Sequence, residues 1–114
     1  MTRHKVVLVP SPFDDLSGSK VRPAVCLTDP IGPHHHVVLA FITSRVVPDP
    51  LASDVVLDAA DSDFASTGLR VSSVLQLHRL MTVTTALIRR ELGHLSPRMR
   101  AEVDDRLCEL FGLR

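Results

Sequence analysis

Tryptophan and tyrosine are absent from this 114-residue chain, and phenylalanine occurs only four times. A broad aromatic platform on which nucleobases stack is thereby excluded as the main mode of binding. Cysteine is scarce as well: Cys26 and Cys108 stand far apart, each inside an apolar pattern. They make neither a close pair nor a secreted framework, so both are expected as buried thiols in a reducing compartment. No apolar run approaches the roughly 18 residues of a membrane span, and Met1 to Val9 lacks the makeup of a signal leader. A soluble, cytoplasmic protein with no membrane partner is expected. Net charge is missing too, with 13 Lys and Arg against 13 Asp and Glu.

What is present is enough for one domain, residues 1–114, with a real core. A chain of this mass buries roughly two-thirds of the surface its unfolded form exposes, so folding requires no cofactor or staple. The neutral total hides an uneven distribution. Residues 49–64 carry five aspartates and no Lys or Arg, whereas residues 65–100 carry six arginines against Glu91 alone, a sum of +5. A basic face that a polyanion would meet is one reading, and an ordinary solvated surface is the other.

Patterning predicts a sheet followed by a helix. Lys5 to Val9 is a β-branched run stopped by Pro10, and Phe13 to Lys20 is a loop of turn formers leading into a second strand, Val21 to Thr28. A third strand, His36 to Ser44, is apolar on both faces over Val37 to Ile42 and so belongs in the middle of the sheet. Short strands follow at Ser53 to Leu57 and Ser73 to Leu80, separated by an irregular stretch or single helical turn at Ala59 to Ser66. Thr82 to Ile88 is mixed in character. Ser96 is a good helix N-cap, Pro97 suits the first helical position and Gly112 suits a left-handed stop. Between them Met99, Val103, Leu107, Leu110 and Phe111 form one apolar stripe. Phe41 and Phe111 are expected in the core, with Phe13 and Phe64 anchoring loops. The sum is a mainly β fold, a small antiparallel barrel-like sheet with one C-terminal α-helix.

One short stretch points to chemistry. In Gly18-Ser-Lys-Val-Arg-Pro-Ala-Val25 a cation directly precedes a proline, which pushes Arg22 into extended geometry at the mouth of an apolar strand. A fixed cation there suits an anion, or else a salt bridge to Asp14 or Asp15. The segments Val6 to Phe13, Gly18 to Val25, Phe41-Ile-Thr-Ser44, Gly68-Leu69 and Leu80-Met-Thr82 together resemble, in order and over nearly the whole chain, the MazF/PemK-type toxins of bacterial toxin–antitoxin systems. That resemblance implies an SH3-like barrel, a homodimer, a cognate acidic antitoxin, and sequence-selective cleavage of RNA with no metal or other cofactor.

Such cleavage needs no protein nucleophile, because the RNA 2′-hydroxyl attacks the adjacent phosphate. What it needs are fixed donors for charge building on the phosphoryl oxygens. By the resemblance Arg22 supplies a rigid guanidinium fork and Thr43 a hydroxyl, although Thr43 read alone is equally a strand residue bonded to backbone. His78 stands where some family members carry an aspartate, and Met81 where some carry an arginine. His78 is either the proton-transfer group, suited to near-neutral pH, or a solvated histidine. Ser19, Lys20, Ser44, Gln76 and Arg79 complete the substrate-binding set. His34, His35 and His36 are not read as a metal site, since neighbours in an extended segment alternate faces and lack further ligands at suitable spacing. Two other functions remain open: a toxin of the same fold that binds DNA gyrase, and a non-catalytic SH3-like nucleic-acid-binding module.

Overall fold

The computed structural model describes residues 2–11, 20–45 and 48–113. Six strands, β1 (Lys5–Pro10), β2 (Val21–Cys26), β3 (His36–Thr43), β4 (Asp54–Leu57), β5 (Ser73–Thr84) and β6 (Arg90–His94), precede the helix α1 (Pro97–Phe111). They form one antiparallel sheet in the order β4-β5-β3-β2-β1-β6, curled into half a barrel. The inner strands are apolar on both sides because two core clusters flank them. Val6, Val25, Ala40 and Ile42 belong to one cluster, and Val7, Ala24, Leu39 and Phe41 to the other. The double-sided run in β3 therefore marks an inner strand, as expected.

Helix α1 starts and stops at the expected residues. The Ser96 hydroxyl accepts from the Met99 N–H at 3.2 Å, and Gly112 closes the helix in the left-handed conformation, φ 65°. Met99 and Val103 are fully buried against the sheet, each burial stabilising by about 1.5–3 kcal/mol. The stripe fails beyond Leu107. Leu110 and Phe111 are exposed, Phe111 by 56%, because the helix runs past the end of the core cluster. Phe64, expected to anchor a loop, is buried in that cluster and ties its own segment to the core. Phe41 is buried as expected, whereas Phe13 lies outside the described residues. Of the two thiols, Cys26 is buried and Cys108 only partly so. Desolvation pushes the Cys26 thiol up to about 11, which leaves it protonated and inert.

Two elements differ from the sequence expectation. Strand β5 continues to Thr84, and β6 is an additional strand. Arg90 to His94 carries little apolar signal; its partner β1, with Val6 opposite Gly93 and Val7 opposite Glu91, makes it a strand, with a bulge at the intervening step. The short 3-10 turn Phe64–Thr67 lies against β6, where the Ser66 hydroxyl donates to the His94 carbonyl at 3.1 Å.

The acidic and basic halves of the chain meet at the start of α1. Arg98 donates through Nε and Nη2 to both oxygens of Asp63, at 3.1 and 2.9 Å, and through Nη2 to Asp61 at 3.1 Å. The Ser96 hydroxyl donates to the same Asp63 oxygen. These donors, Arg98 first, hold the Asp63 carboxyl at about 2, below its ordinary 3.8. Because the folded-state value lies below the unfolded one, this stabilisation is complete above about pH 4 and is lost as pH falls toward about 2. Denaturation midpoints measured across that window should fall with pH, and Asp63→Asn should flatten the slope. An unchanged slope in that variant would mean that the ion pair does not couple α1 to the turn.

Candidate functional site

Strand β5 does not run evenly beside β3. Leu75 lies opposite Ile42 and Leu80 opposite Ala40, so the four residues from Gln76 to Arg79 face Phe41 alone. The bowed stretch is held on its other side. Gln76 pairs with Asp54 across β4, the Leu77 N–H donates to the Ser53 carbonyl at 3.3 Å, and the Leu77 side chain is fully buried. A cavity of about 570 Å³ lies beside this stretch, its lining drawn from β2, β3, β4 and β5 and including Gln76 and Arg79.

Arg22 and Thr43 both line it. The antiparallel register that sets Ala24 opposite Phe41 brings them toward each other, Arg22 two residues before Ala24 and Thr43 two residues after Phe41. Arg22 lies opposite Val9 and is half-buried, with Pro23 behind it. The Thr43 hydroxyl oxygen accepts the Arg45 N–H at 3.1 Å, which leaves its O–H hydrogen to donate into the site. Ser44, Gln76 and Arg79 line the cavity as well. Lys20 is exposed beside it, joined to Ser11 through its carbonyl at 3.4 Å, and does not line it. Nor does His78, whose side chain is 38% exposed. Ser19 lies outside the described residues.

Three polar lining residues were not singled out as site residues from the sequence: Ser11, Arg45 and Asp54. Arg45 follows Thr43 by two positions and adds a third guanidinium to those of Arg22 and Arg79. Against them stands one carboxylate, Asp54, so the lining carries a surplus of positive charge suited to an anion. Asp54 is 4% exposed. Its Oδ2 accepts the Leu51 N–H at 2.9 Å, and its Oδ1 has no hydrogen-bond partner. The only signal for it in the sequence is an acid opening a short apolar strand. In the β2–β3 hairpin, His35 takes a left-handed φ of 54° and the His34 and His36 rings lie 5.8 Å apart. Among the described residues no group of three His, Cys, Asp or Glu is placed to hold a metal ion, and no helix is long and apolar enough to cross a membrane.

The model of the family "PemK-like, MazF-like toxin of type II toxin-antitoxin system" matches residues 2–111. A comparison with curated protein sequences returns no match. Solved structures share the fold at low identity. The Mycobacterium tuberculosis toxin MazF-mt6 superposes with a TM-score of 0.71 at 23% identity, over 95% of this chain and 96% of that one. An endoribonuclease in complex with its cognate antitoxin, from a mycobacterial species, gives a TM-score of 0.72 at 17% identity over 100% and 97%. A MazE–MazF structure from Deinococcus radiodurans gives 0.67 at 21% identity over 98% and 95%.

Proposed function

The chain belongs to the PemK-like, MazF-like toxins of type II toxin–antitoxin systems, and from that premise we propose that it is a sequence-selective endoribonuclease cutting single-stranded RNA without a metal. The observation that carries this reading is the meeting of Arg22 and Thr43 at one cavity whose lining has a surplus of guanidinium groups. In the reaction the 2′-oxygen bonds to phosphorus and the bond to the 5′-oxygen breaks. The 2′-hydroxyl proton passes to a base, and a proton is delivered to the departing 5′-oxygen. The products are a 2′,3′-cyclic phosphate and a 5′-hydroxyl. Arg22 and the Thr43 hydroxyl stabilise the charge that grows on the phosphoryl oxygens. Ser44, Gln76 and Arg79 bind the RNA on either side, with Lys20 on its approach, and His78 transfers a proton.

The same anion-binding lining supports an acidic antitoxin segment as the natural inhibitor, competing with RNA for the guanidinium groups. The relatives named above include complexes with an antitoxin. Strands β4 and β6 stand at the sheet's two edges, and pairing or covering them in an isologous homodimer supports the dimer proposed here. The protein acts in the cytoplasm, where RNA and antitoxin are both present.

Purified protein incubated with a long RNA in EDTA should release discrete fragments bearing 5′-hydroxyl and 2′,3′-cyclic phosphate ends. RNA that stays intact but is retarded on a gel would instead make the chain a binding module. Intact RNA accompanied by gyrase inhibition would make it a toxin of the other kind.

A further inference from the structure

Asp54 presents a problem that the cavity lining does not solve. A buried carboxylate oxygen without a donor is costly, and such groups in native proteins have a reason. Its Oδ2 is committed to the Leu51 N–H, so only Oδ1 is in question. Nδ1 of His78 lies 4.0 Å from Oδ1. That is too long for a hydrogen bond, and an approach of about 1 Å would make one. The bowed stretch allows it, since residues 76 to 79 are spread opposite a single β3 residue.

Given the ribonuclease reading above, we infer that Asp54 is the positioning residue of a carboxylate–histidine pair, drawing the Nδ1–H of His78 toward Oδ1 when RNA is bound. An imidazole that donates from Nδ1 carries its lone pair on Nε2, and that nitrogen then faces away from Asp54 as the proton acceptor for the 2′-hydroxyl. The arrangement brings His78, which does not line the cavity in the resting fold, into the chemistry through its neighbour. Catalytic hydrogen bonds are commonly longer before substrate arrives.

Asparagine at position 54 provides the decisive variant. Its Oδ1 can keep the Leu51 N–H, which turns its amide N–H group toward His78 and favours the opposite tautomer. In ¹⁵N-histidine-labelled protein, assigned with His78→Gln, neutral His78 bound to a non-cleavable 2′-deoxy RNA analogue should be mainly Nδ1–H. Asp54→Asn should reverse the tautomer and lower the single-turnover cleavage rate at saturating RNA at least tenfold, a readout independent of any change in RNA affinity. Mainly Nε2–H in the wild type, or no reversal in the variant, overturns the positioning role. Reversal with an unchanged cleavage rate removes His78 from proton transfer and overturns the inference at that step. If the tautomer reverses in a protein that does not cut RNA, the pair stands and the ribonuclease reading fails on its own.

Discussion

Replacing Arg22 with alanine should lower the RNA cleavage rate by roughly 10²–10³-fold, the cost typical of losing one donor to transition-state charge, while the fold is retained. The side chain projects from β2 into the cavity, and its removal leaves both core clusters intact because Arg22 belongs to neither. In the proposed reaction charge on the phosphoryl oxygens rises as phosphorus becomes five-coordinate, so the guanidinium would bind the transition state more strongly than the ground state. The loss should therefore fall mainly on kcat, with KM changed less. Arg22→Lys should also be poor, since a point charge cannot supply two parallel N–H donors from a fixed plane. A folded Arg22→Ala protein that cuts at the wild-type rate would remove this residue from the mechanism.

Gly93→Ala is the second large effect, and it concerns stability. A Cβ at Gly93 would lie 2.2 Å from the Ser66 carbonyl oxygen and 2.6 Å from the Thr67 carbonyl carbon. Those atoms are backbone, so no side chain can rotate aside. Either β6 separates from β1 or the turn Phe64–Thr67 lifts away, drawing Phe64 from the core cluster. A cost of about 3 kcal/mol is expected for such overpacking, lowering Tm by roughly 10 °C in a domain of this size. Circular dichroism melting tests it directly. A Tm within about 2 °C of wild type would mean that the turn can yield without loss.

Local chemistry made part of this molecule legible. The ends of α1 follow from Ser96, Pro97 and Gly112 because caps act within one turn, and β3 is recognisable because burial on two faces leaves an uninterrupted apolar run. Strand β6 escaped because its identity comes from β1, distant in sequence. Phe111 misled because periodicity shows which face of a helix is apolar but not where the sheet beneath it ends. At the cavity, Arg22, Thr43, Ser44, Gln76 and Arg79 are brought together, and it was family resemblance, beyond spacing, that pointed to them. Asp54 and Arg45 were not anticipated. Their place depends on where β5 leaves β3, a choice made by pairing with β4 that no short window of sequence records.

That departure has an evolutionary meaning. Strand β5 assigns folding and recognition to different residues: Val74, Leu75 and Leu77 are inside the protein, while Gln76 and Arg79 line the cavity and His78 lies beside it. Exchanging Gln76 or Arg79 alters what the cavity accepts and leaves the burial of its neighbours in place. On the ribonuclease reading, a lineage could thus try new RNA sequences, or escape one antitoxin for another, by drift at two positions whose exchange costs specificity and not the fold.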